Sequence, residues 1–163
     1  MSEPLPRLSY EQFRNQAPEA YAALLALGQA ANAAGLDKAI SELVKLRASQ
    51  INGCAFCLRM HVDIARRLGI AEDKLDLVSA WREAGVFTER EQAALAWTEA
   101  LTTLSGEAER DAAYARVLSH FSPEHALFLT VTIGTINQWN RLAIAFRFSP
   151  DSARAAVGPK VVR

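Results

Sequence analysis

Cysteine is scarce: the 163 residues contain two, Cys54 and Cys57, and three histidines. A disulfide-stapled secreted scaffold is therefore excluded, because such folds need several bridges and a four-residue loop constrains an unfolded chain little. An excess of either charge is also missing, with 18 basic against 18 acidic side chains. Nucleic acid and anionic membrane surfaces call for a basic excess, so neither is expected as the main partner. No apolar run approaches the roughly 20 residues that span a bilayer. The opening Met1 to Arg7 has neither a basic n-region nor an apolar h-region. No secretory signal is expected, and the cytoplasm is the default location. Strand alternation is absent as well, apart from Thr130-Val131-Thr132-Ile133 inside a longer apolar run. No internal repeat is present.

What is there reads as helix, and the fold class is all-α. Pro4 and Pro6 mark an extended arm, and Ser9 opens a short helix that ends before Pro18. A second helix runs from Glu19 to about Ala34, stopped by Gly35, with Tyr21, Leu24, Leu25 and Leu27 as an apolar stripe. Asp37 caps a third to about Ile51, and a fourth spans Cys54 to Gly69. A fifth covers Glu72 to about Glu83. Thr88 and Glu91 form a capping box for a sixth helix ending at Leu104. A seventh covers Arg110 to Phe121. Ser122-Pro123-Glu124 then opens a long helix to about Phe146, apolar nearly all round and so central or interfacial. The tail after Pro150 is expected to be an arm or partly disordered. At this length the chain predicts a single domain, residues 1–163, with a core of about 19–148 and flexible arms at both ends.

The chemistry concentrates in Ile51-Asn52-Gly53-Cys54-Ala55-Phe56-Cys57-Leu58-Arg59-Met60-His61. Asn52-Gly53 is a turn-then-cap signal that places Cys54 in a first helical turn, where free N–H groups and the helix dipole favour a thiolate. If the helix starts there, Cys54, Cys57 and His61 fall within roughly 60° of one face. At i and i+4, His61 can take or share the Cys57 proton. Two thiols one turn apart can cycle between dithiol and disulfide. Reaction with a peroxide needs one thiolate, a proton donor for the departing oxygen and a second thiol to resolve the sulfenic acid. Glu42, on the preceding helix, either orients His61 or passes protons through a water. Nearness to the helix start points to Cys54 as the nucleophile.

Glu42, twelve residues before Cys54, then Cys57 and His61, form an arrangement on consecutive helices that resembles the alkylhydroperoxidase D family. That family lies within the wider carboxymuconolactone decarboxylase superfamily, whose fold is all-helical. The likeness is sharpest from about Lys38 to Leu68. Ile136-Asn137-Gln138-Trp139-Asn140-Arg141-Leu142 also resembles the group's last helix. The resemblance implies a thiol peroxidase or protein-dithiol oxidoreductase that needs no cofactor, acts on hydroperoxides and is reset by a dithiol or lipoyl-linked reductant protein. It also implies a homo-oligomer, as a dimer, trimer or hexamer. It assigns Cys57 to peroxide attack, Cys54 to resolution, and Glu42 and His61 to a proton relay. One position departs: Phe56 stands where well-studied members carry histidine.

Competing readings remain for these residues. Cys54, Cys57, His61 and Glu42 are also a zinc-ligand set, although structural zinc usually takes two paired clusters. A sensor that oxidises without turnover and a lactone enzyme of the decarboxylase kind are further alternatives, the last having no use for a redox dithiol. His120 and His125 flank a helix break as local polar residues, and Trp81, Trp97 and Trp139 are expected to pack the core. Asn137, Asn140 and Arg141, at i, i+3 and i+4, either line a pocket or hydrogen-bond a neighbouring helix or second subunit.

Overall fold

Helix starts are set locally, by side chains that satisfy the free N–H groups of a first turn. A computed structural model describes residues 7–157 and shows those caps in place. Ser9 closes a capping box with Gln12 over α1 (Tyr10–Gln16). Asp37 accepts from the N–H groups of Ala39 and Ile40 at the head of α3 (Lys38–Asn52). Thr88 and Glu91 cap α7 (Glu89–Thr103) reciprocally. Ser122 accepts from His125, with Pro123 as the first residue of α9 (Pro123–Phe146). The remaining helices are α2 (Pro18–Ala33), α4 (Ala55–Arg67), α5 (Glu72–Leu77), α6 (Trp81–Ala84), α8 (Glu107–Leu118) and α10 (Pro150–Val157). No strand occurs among the described residues, so Thr130 to Ile133 is helical. The N-terminal arm with Pro4 and Pro6 lies outside them.

α3 is the centre of the molecule: eight of its side chains are buried, and it packs against α4, α7 and α9. α9 buries Ala126, Leu129, Ile133, Ile136, Asn140 and Ala143 along one line. Its far side leaves Leu127 at 57% exposure and Ile144 at 48%. α2 packs on α9 as an outer layer and buries only Ala31, so Leu25 and Leu27 of the expected stripe face solvent.

Three expectations are corrected. The fifth helix is broken by a 3-10 turn at Val78–Ala80 between α5 and α6. A 3-10 turn brings i and i+3 into register. Val78 and Trp81 can thereby enter one cluster with Leu43, Phe87 and Leu95. α8 begins at Glu107 rather than Arg110, because Glu107 and Glu109 suit the positive end of its dipole. The tail after Pro150 is not an arm through 157 but α10, with Pro150 as its first residue and Asp151 in its first turn. It packs along α4 with Ala153 fully buried, and Arg67 of α4 donates to the Val157 carbonyl. An aromatic cluster gathers Tyr10, Phe13, Tyr21, Phe56, Trp139 and Phe148.

Candidate active site

The turn from α3 into α4 places the cysteines. Gly53 closes α3 in the left-handed region at φ 67°, where only a residue without Cβ sits unstrained. Cys54 is then extended (φ −88°, ψ 94°) and serves as the N-cap of α4 instead of its first helical residue. Its N–H donates to the Ser49 carbonyl at 3.0 Å, and its Sγ accepts the Cys57 N–H at 3.3 Å. Both side chains are buried and the two thiols are free of disulfide.

Their electrostatics are opposite. A hydrogen bond from the Cys57 thiol pulls the Cys54 pKa down, against burial, and the Cys57 and Phe56 N–H groups and Asn140 add to it. The same bond, with burial and the nearby Cys54 charge, pushes Cys57 well above the ordinary thiol range. Of the two thiols, Cys54 is therefore the one that ionises first, while Cys57 keeps its proton.

Cys57 lines a largely apolar cavity of about 230 Å³, and Cys54 stands behind it. Tyr10, Met60 and Trp139 supply apolar wall, while Lys45 and His61 supply the polar side. Phe56 is part of that wall, 5.2 Å from the Tyr10 ring and 5.4 Å from Phe148 between centroids. A proton-carrying imidazole at this position would face the rings of Tyr10 and Phe148, which explains the apolar residue here.

Glu42 is brought beside His61, its Oε2 2.6 Å from Nδ1. Its Oε1 accepts from Lys45 Nζ at 2.7 Å. Burial alone would push this carboxyl up, but His61 and then Lys45 outweigh it and hold the group at about 2. Glu42 therefore stays ionised near neutral pH and fixes the ring of His61. Nε2 is left as the nitrogen available to the cavity. His61 and Cys57 share that cavity, and no hydrogen bond joins them among the described residues.

His125 donates to or accepts from nothing in this site; its Nε2 meets the Ala34 carbonyl at 3.1 Å. Trp81 and Trp97 are buried in the core as expected, whereas Trp139 is a cavity wall. Asn137 and Asn140 hydrogen-bond the end of α3 through Asn52. Lys45 and Tyr10 were not apparent as site residues. Lys45 left a signal, three residues after Glu42, but Tyr10 reaches the site from the far end of the chain. Among the described residues, no three His, Cys, Asp or Glu side chains converge as a metal ion would require.

An all-helical scaffold that presents a buried dithiol at a helix start is the alkylhydroperoxidase D type, and comparison with known proteins agrees. Residues 18–100 match the carboxymuconolactone decarboxylase family. The uncharacterized Bacillus subtilis (strain 168) protein YdfG is 34% identical over 139 residues, 85% of this chain and 92% of its own. A protein of unknown function from Agrobacterium tumefaciens, provisionally assigned as the antioxidant defence protein AhpD, superposes with a TM-score of 0.81 at 42% identity. That match covers 89% of this chain and 97% of the other. The debrominase Bmp8 shares the fold at 18% identity and a TM-score of 0.70, over 88% and 79% of the two chains. The chain belongs to the carboxymuconolactone decarboxylase family, as an alkylhydroperoxidase D-like member.

Proposed function

We propose that the protein is a cytoplasmic thiol-dependent peroxidase that reduces organic hydroperoxides through the Cys54–Cys57 dithiol. The observation that carries this reading is the placement of Cys57 in the wall of an apolar cavity, next to a Cys54 thiol whose pKa is lowered. As the Cys57 sulfur attacks the terminal peroxide oxygen, its proton passes to Cys54. The O–O bond breaks, leaving Cys57 sulfenic acid and an alkoxide. The alkoxide takes the proton back, directly from Cys54 or through His61 Nε2. The restored Cys54 thiolate attacks the sulfenic sulfur, the disulfide forms and hydroxide leaves to be protonated as water. One hydroperoxide becomes one alcohol and one water, and the dithiol loses two electrons. An external dithiol or lipoyl-linked protein returns them. Glu42 holds His61 in place and does not itself carry the proton.

The test is peroxide consumption in two variants. Cys57→Ser should lose it by at least about 10³-fold, while Cys54→Ser should stop after one equivalent with sulfenic acid on Cys57, visible by mass spectrometry. Consumption at the normal rate by Cys57→Ser would remove the attacking residue from this scheme.

A further inference from the structure

Next to the dithiol, α9 presents two amides to the end of α3, the buried Asn140 and the half-buried Asn137. Asn140 is fully buried. Its Nδ2 donates to Ser49 Oγ at 3.0 Å, and its Oδ1 accepts from Asn52 Nδ2 at 2.8 Å. Asn52 gives its other N–H to Asn137 Oδ1 at 2.9 Å. Asn137 donates in turn to Thr102 Oγ1 and the Ile133 carbonyl. These bonds leave each amide one workable orientation.

Ser49 and Asn52 bracket the last turn of α3, and the Ser49 carbonyl is the acceptor for the Cys54 N–H. One side chain of α9 thus grips both ends of the turn that sets Cys54 at its cap. An amide nitrogen carries two hydrogens, and Ser49 takes only one. The other is shut away from water, where an unpaired N–H is costly. Asn140 is among the groups that favour the charged form of both Cys54 and Cys57.

No cation stands among the groups that favour the Cys54 thiolate. The titratable groups that line the cavity beside Cys57 are Lys45 and His61 from α3 and α4, and Tyr10 from α1. Lys45 and His61 are both engaged by Glu42, and Tyr10 pairs with Tyr21 at 3.1 Å. The charge is therefore held by neutral donors.

We propose that Asn140 tunes the dithiol, clamping the turn that carries Cys54 and directing a buried N–H at the sulfur pair. This deepens the dithiol reading, and it is tested without peroxide so that each can fail alone. In Asn140→Leu, the thiolate absorbance followed against pH should titrate later, with about tenfold less thiolate on the acid side of the midpoint. The disulfide should become harder to reduce against glutathione by the same factor, about 30 mV more negative. Asn52→Ala, which loosens the turn but keeps the Asn140 donor, should lower the melting temperature and leave the titration in place.

In the unmodified protein, the Asn140 Nδ2 signals should move with the thiol titration in NMR spectra and stay still in Cys54→Ser. A folded Asn140→Leu with an unchanged thiol titration would overturn the assignment. So would stationary Asn140 signals in the unmodified protein, a result that stands even if the leucine variant fails to fold.

Discussion

At the scale of single residues, the site is a set of charges assigned by geometry. Glu42 is buried with two partners, and its carboxyl lies at about 2 instead of the ordinary 4.5. A carboxyl depressed by folding adds stability that is complete above its unfolded value and disappears as pH falls through its folded value. The Glu42 contribution is thus present above about pH 4.5 and lost between there and about pH 2. Glu42→Gln should cost roughly 2–4 kcal/mol at neutral pH, since it strands Lys45 and His61. Denaturant midpoints measured at several pH values should show the difference from wild type shrinking over that acid window. A constant difference would mean that the loss comes from packing and not from charge. Cys54 has the same sign as Glu42, and Cys57 the opposite one. Raising the pH through the lowered Cys54 value therefore favours the folded dithiol.

At the scale of elements, α10 and α9 build the back of the site. Ala153 of α10 is fully buried and shares a cluster with Phe56, Cys57 and Phe148. Ala153→Leu should overpack this contact and cost about 1–3 kcal/mol, seen as a lower melting temperature. An unshifted melt would place α10 loosely on α4. The elements also show what the chain alone makes legible. Asp37, Thr88 and Ser122 announce their helices because a cap depends on a handful of adjacent residues. The break at Val78 to Ala80 was not legible, because it is decided by burial against Leu43 and Leu95, far off in sequence. α10 was missed for the same reason: its helix is short, and its apolar side matters only beside α4. Within the site, Glu42, Cys54, Cys57 and His61 lie on two consecutive helices, so spacing alone brought them together. Tyr10 and Trp139 come from α1 and α9, and their place in the cavity wall follows from packing that no local pattern encodes. Asn140 was visible as a polar residue in an apolar helix, but not the face of the dithiol it would meet.

At the scale of the whole molecule, the chain is a helical shell around α3, with no described helix long and apolar enough to cross a membrane. Large apolar side chains nevertheless remain outside: Leu25 and Leu27 on α2, Leu127 and Ile144 on α9. We propose that such surface is covered by further copies of the chain, as the family resemblance implies. Light scattering should give a mass at a multiple of 17.8 kDa. A monomer mass at working concentration would leave those faces to solvent. The proposed activity rests on an internal dithiol that meets its substrate through Cys57. Its most direct test counts free thiols in the reduced protein before and after one equivalent of an organic hydroperoxide. Both thiols should vanish together, quickly and at a rate independent of protein concentration, with one alcohol formed per disulfide. Thiols that survive the hydroperoxide for many minutes would contradict it.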